Sequence, residues 1–186
     1  FARLALAHNP VNIGDATKGG LFRPQRKLNP LAHWRRDATP EPERVVEDID
    51  GHTTMAAVFR TREDMEGFVR DLKAADLGIS INISAPMDAA AACCRAAGLT
   101  RHSVEYSLGF QGRLDRLPDR SVLEISTMCG HGMVSGNLVK KLIDWVKEGR
   151  RTPAQATRYL ARFCTCGVFN PPRAEALFEK TRTGGA

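Results

Sequence analysis

Long apolar runs are missing from this chain. No stretch of its 186 residues approaches the roughly 18 consecutive apolar residues that a membrane-spanning helix needs, so no membrane partner is expected. Aromatic residues are scarce at 6%, and only Phe22 and Trp34 stand near a run of positive charge, which disfavours a base-stacking surface there. No internal repeat is present, which excludes solenoids and propellers. The five cysteines are an odd number, with two adjacent at Cys93-Cys94 and two in a Cys-x-Cys. That is no secreted disulfide framework, and a reducing cytoplasm is the expected location. The chain opens on Phe1 without an initiator Met or a full signal-peptide core, as a trimmed or processed chain would.

What is present is ordinary for a globular domain: 42% hydrophobic and 26% charged residues. The formal charge of +6 has an address. Residues 1–36 carry Arg3, Lys18, Arg23, Arg26, Lys27, Arg35 and Arg36 against Asp15 alone, so the remainder is close to neutral. Residues 1–50 are punctuated by Pro10, Gly14, Gly19-Gly20, Pro24, Pro30, Pro40 and Pro42 and lack sustained periodicity. They read as an extended basic arm. Its interleaved Leu21, Phe22, Leu28, Leu31 and Trp34 would order it on the domain surface or on a partner.

From residue 51 the pattern predicts regular structure. A strand is expected over Thr53–Phe59. A helix follows, capped by Thr61, with Met65, Phe68, Val69 and Leu72 on one face and a stop at Gly78. Ile79, Ile81 and Ile83 alternate with polar residues, as do Val104, Tyr106 and Leu108, and Leu123 and Ile125. These predict three more strands, with Gly109–Pro118 as a long hairpin connection. Pro86 opens an alanine-rich helix, another runs from about Ser135 to Glu148, and two more start at Thr152-Pro153 and Asn170-Pro171. The expected fold is α/β or α+β: one mixed sheet with packed helices over residues 51–183, a small helical lobe at about 150–183, and a short tail at 184–186.

Chemistry concentrates in two short motifs about 35 residues apart. One is Met128-Cys129-Gly130-His131-Gly132-Met133, and the other is Phe163-Cys164-Thr165-Cys166-Gly167. Glycine beside cysteine lets the backbone turn so that thiolate and N–H groups converge. Thiolates are soft ligands for zinc, copper(I) and iron–sulfur clusters. Cys129, Cys164 and Cys166 with His131 would give a cramped Cys3His zinc set, whereas a [4Fe-4S] cluster tolerates irregular spacing. Three cysteines leave one iron open to substrate, to water or to His131. Without metal, Cys164 and Cys166 become a redox pair or packing residues. Cys93-Cys94 read as packing residues of a helix.

The glycine-rich loop Gly130–Gly136 matches neither the G-x-x-x-x-G-K-[ST] nor the G-x-G-x-x-G pattern, so it makes no nucleotide-binding claim. His131 is the candidate proton donor or fourth ligand. Arg173, in the first turn of a helix, is the candidate clamp for a substrate carboxylate. The leading expectation is an iron–sulfur enzyme or enzyme subunit, of lyase or oxidoreductase type, acting on a small anionic substrate. The alternatives are a zinc-stabilised interaction module and an assembly or nucleic-acid-associated protein working through the arm. Contact of residues 1–36 with another chain or a second copy is expected ahead of contact with nucleic acid.

Overall fold

The computed structural model describes residues 1–17, 19–22, 41–104, 109 and 111–184. A small sheet and eight α-helices make up the regular structure of these residues. The sheet is antiparallel and three-stranded, in the order β2-β1-β3. β1 is Asn12–Asp15, β2 is Gly19–Gly20 and β3 is Met55–Val58. β1 pairs with β3 from Asn12↔Val58 to Asp15↔Met55 and with β2 at Gly14↔Gly20 and Asp15↔Gly19. The central strand thus lies where the sequence reading expects an arm. All four of its residues are buried, so it belongs to the core. Of the arm's cations, Lys18, Arg23, Arg26, Lys27, Arg35 and Arg36 lie outside the described residues.

Around the sheet sits a first core. Helix α1 (Ala2–Leu6), α2 (Pro42–Glu47), α3 (Arg62–Ala75) and α4 (Met87–Ala96) contribute Ala5, Val45, Phe68, Val69, Leu72 and Cys93, packed on Ile13 of β1. The Thr61 hydroxyl accepts the Asp64 N–H and starts α3. That helix ends at Asp76, which adopts the left-handed conformation two residues before Gly78.

A second core is helical. It comprises α5 (Arg120–Ser126), α6 (Gly136–Lys147), α7 (Pro153–Ala161) and α8 (Pro171–Arg182), with α8 packed on the other three. Val139, Leu142, Ile143 and Val146 form the buried stripe of α6, spaced as a helix facing a core requires. A reciprocal cap of Thr152 and Gln155 starts α7.

Two expected strands differ, and most of a third lies outside the described residues. Leu123 and Ile125 lie in helix α5, because Val122, Ile125 and Cys129 recur at helical spacing and bury against α6 and α8. Residues 79–84 are irregular, with Ile79 and Ile81 exposed; alternation alone makes no strand, and among the described residues none pairs with it. Val104 is likewise irregular, and 105–108 lie outside the described residues. The connection at 109–118 contains a 3-10 turn, Leu114–Arg116.

The two cores meet backbone to backbone. A Cβ placed on Gly14 would stand 2.6 Å from the carbonyl carbon and oxygen of Cys166 and 2.7 Å from the Gly167 nitrogen. Gly167 itself has φ +77°, and a Cβ there would reach within 2.5 Å of the Gly14 nitrogen. We therefore expect Gly14→Ala to destabilise the protein by about 1–3 kcal/mol in urea unfolding, as overpacking does. Gly51→Ala, where a Cβ meets open space, should stay within about 0.5 kcal/mol.

Candidate metal centre

Cys129 follows the end of α5 by three residues, whereas Cys164 and Cys166 lie in the turn that joins α7 to α8. Because α5 and α7 both pack on α8, the two turns are carried to one place. The three sulfurs are neighbours, Cys164 standing between Cys129 and Cys166 closely enough that it and each of them shift one another's titration. His131 extends the row, its Nδ1 3.5 Å from Cys166 Sγ. All three cysteines are buried, while His131 is exposed, so one end of the row opens to solvent. Cys93 and Cys94 are buried in α4, well separated in the fold, as packing residues.

Backbone N–H groups converge on each sulfur. Those of Met133 and His131 reach Cys129, that of Val168 reaches Cys166, and that of Phe169 reaches Cys164 Sγ at 3.3 Å. The turns make this possible: Gly132 at φ +66° and Gly167 at φ +77° reverse the chain just after each cysteine. N–H donors aimed at sulfur favour the thiolate, which is the form that binds metal.

The titration of the row follows from its hydrogen bonds. The Cys164 contact, aided by the N–H groups of Met133 and His131, lowers Cys129 to about 5 against the burial that opposes it. The same Cys164 contact, aided by the Val168 N–H, lowers Cys166 to about 6. Cys164 is pushed far up by its hydrogen bonds to Cys129 and Cys166 and by burial, and so keeps its proton. Two thiolates sharing one thiol proton is a dense negative charge for a buried place.

Behind the row stands β1. Asn12 is buried, and its Nδ2 donates to the Phe169 carbonyl at 2.8 Å, across 157 residues of sequence. Phe169 in turn gives its N–H to Cys164, so Asn12 braces the residue whose N–H meets the central sulfur. Neither Asn12 nor Gly14 was singled out from sequence. Their only signal was glycine and proline punctuation, which reads equally well as loop.

Arg173 stands elsewhere. It is exposed in the first turn of α8, in a groove of about 720 Å³ lined also by Arg60, Thr152, Asn170, Glu175 and Glu179 and by none of the three cysteines or His131. Asn170 and Thr152 already cap the Arg173 and Gln155 N–H groups, and Pro153, Pro171 and Pro172 have none to offer.

Among the described residues no group of three or more His, Cys, Asp or Glu side chains is arranged to hold a metal ion. The donor set nevertheless suits a soft metal: three thiols and an imidazole, with N–H groups directed at the sulfurs. Comparison with models of known protein families, with curated proteins and with solved structures finds no match to this chain.

Two outcomes follow. Metal uptake near pH 7.5 should release about one proton, that of Cys164, instead of the three expected of ordinary thiols, when read by calorimetry in buffers of different ionisation enthalpy. Cys129 and Cys166 are depressed in the folded state. Their stabilisation is therefore complete above the ordinary thiol range near 9.0 and is lost as pH falls toward about 6 and then about 5. The melting temperature of metal-free protein should fall across that window, and less steeply in Cys166→Ser. Separately, Asn12→Leu should cost about 1–3 kcal/mol in urea unfolding, because it leaves the Phe169 carbonyl buried without its donor.

Proposed function

We propose that Cys129, Cys164 and Cys166 hold an iron–sulfur centre of the [4Fe-4S] type, open on the side of His131. The observation that carries this reading is the row itself: three buried thiols from two turns, each sulfur met by a backbone N–H, ending at an exposed imidazole. A structural zinc site normally closes with four ligands, whereas a three-cysteine cluster leaves one iron for chemistry. The exposure of His131 favours the open arrangement. When bound, such a centre supplies Lewis-acid or redox chemistry. His131 would donate or accept a proton at its rim, or occupy the fourth position.

The protein is then an enzyme or enzyme subunit of lyase or oxidoreductase type, working on a small anionic molecule in the cytoplasm. Among the described residues no helix is long and apolar enough to cross a membrane. Arg173 gains no support as the substrate clamp from its place in the α8 groove. A second reading, a Cys3His zinc centre that staples the helical core, is favoured by the sulfur contacts. Contact of residues 1–36 with another chain or a second copy of this one belongs with either reading.

Anaerobic reconstitution with iron and sulfide decides between them. Brown protein with broad absorption near roughly 400 nm and equal iron and sulfide is expected. Loss of colour in Cys129→Ser, Cys164→Ser and Cys166→Ser, but not in Cys93→Ser, would tie it to the row. Colourless protein that takes up one zinc would establish the staple, and protein that binds neither would overturn both. His131→Ala should retain iron and lower turnover by roughly 10²–10⁴-fold if the imidazole acts as acid or base.

A further inference from the structure

The near-neutral remainder of the chain is not uniform. Between Asn137 and Arg162 stand Lys140, Lys141, Lys147, Arg150, Arg151, Arg158 and Arg162 against Asp144 and Glu148 alone. The first six are exposed. Lys140 and Lys147 lie two turns apart on α6, on the exposed flank of its buried stripe with Asp144 between them, and Arg151 continues beyond the helix end. Among the described residues none of these three has an ion pair, and Asp144 is the one carboxylate within a helical turn of both lysines. The loop that carries Arg150 and Arg151 is tied down, both backbone N–H groups donating to the Trp145 carbonyl. Lys141 and Arg150 lie over the Trp145 ring, with Nζ 5.7 Å and Cζ 5.1 Å from its centroid.

We infer that the outer face of α6 and its loop to α7 is a docking surface for nucleic acid, gripped through the phosphate backbone without reading of bases. Charge complementarity selects a polyanion, and the composition of the face selects which one. Protein interfaces need an apolar centre within a polar rim. Here Tyr159 is the only exposed large hydrophobic residue between 137 and 162 among the described residues, and it lies edge-on to Phe163. Bases are not read, because the Trp145 ring is already in contact with two cations and is not free for stacking.

Lys140 and Lys147 are about 10 Å apart along the helix axis, a span of about three phosphates of one strand. Helix-dipole complementation accounts for Lys147 in the last turn of α6 but not for Lys140 or Lys141 in its middle. The surface is independent of the thiol row, so its failure leaves the metal proposal untouched.

The test uses the full chain and a fluorescein-labelled single-stranded 20-mer of mixed sequence at about 50 mM salt. Binding is expected at micromolar concentration, weakening with salt at a slope of about −2 to −3. Lys140→Glu/Lys147→Glu should weaken it at least tenfold and flatten that slope. Arg26→Glu/Lys27→Glu, an equal charge change in the basic leading segment, should weaken it less. In a Trp34→Phe background, saturation should shift the emission of Trp145 as its two cations turn to phosphate. Folding is checked by circular dichroism, and Lys140→Gln/Lys147→Gln replaces the reversal if it misfolds. Absence of binding overturns the inference, as does a loss confined to the Arg26/Lys27 variant. Equally tight binding of poly-glutamate would assign the face to an acidic protein instead.

Discussion

Gly14 and Gly167 approach so closely that no side chain fits between them, and this contact joins the two cores. On one side lies the three-stranded sheet with its flanking helices, and on the other the four-helix cluster that carries the cysteines. Gly20 adds to it, a Cβ there meeting the Ile13 carbonyl at 3.1 Å and Gly167 at 3.3 Å. Backbone approach of this kind admits little adjustment, because a carbonyl cannot rotate away as a flexible side chain can. The turn between α7 and α8 is therefore held from behind by β1, and Asn12 adds a hydrogen bond at Phe169 in the same place. The position of Cys164 and Cys166 is thus inherited from residues some 150 positions earlier in the chain.

The thiol row is the point at which this scaffold meets chemistry. Three ionisable sulfurs from two turns are buried together, with His131 exposed at their edge, and isolated charge is costly there. The protein relieves that cost with backbone N–H groups and with one proton held on Cys164 between its neighbours. A cation would relieve it more completely, since metal binding removes the proton and neutralises the thiolates together. The two glycine turns give the sulfurs their donors, and the open end at His131 gives the row its contact with solvent.

Charge is distributed with the same division of labour. The face of α6 is cationic and almost free of exposed large apolar residues. Its buried side packs Val139, Leu142, Ile143 and Val146 into the core that holds the cysteines. One helix thus serves two purposes, because helical periodicity turns Lys140 and Lys147 about a quarter turn away from the buried stripe.

Local signals in the sequence determined the helices with strong apolar periodicity and a cap: α3 behind Thr61, α6, α7 behind Thr152 and α8 behind Asn170. They also singled out Cys129, Cys164, Cys166 and His131, since cysteine beside glycine is a backbone signal as well as a chemical one. Only tertiary structure decided the rest. The alternation of Ile79, Ile81 and Ile83 pairs with no strand among the described residues, and Leu123 and Ile125 turn helical because Val122 and Cys129 share their buried face. Residues 12–15 became the central strand through hydrogen bonds to residues 55–58, a pairing that no local pattern announces. Arg173 kept its expected place at a helix start yet faces another groove, because the direction of a side chain depends on how the helix is packed. Propensity and capping act within a few residues and can be read from the chain. Strand pairing and the meeting of Gly14 with Gly167 depend on partners far along it, and exist only once it has folded.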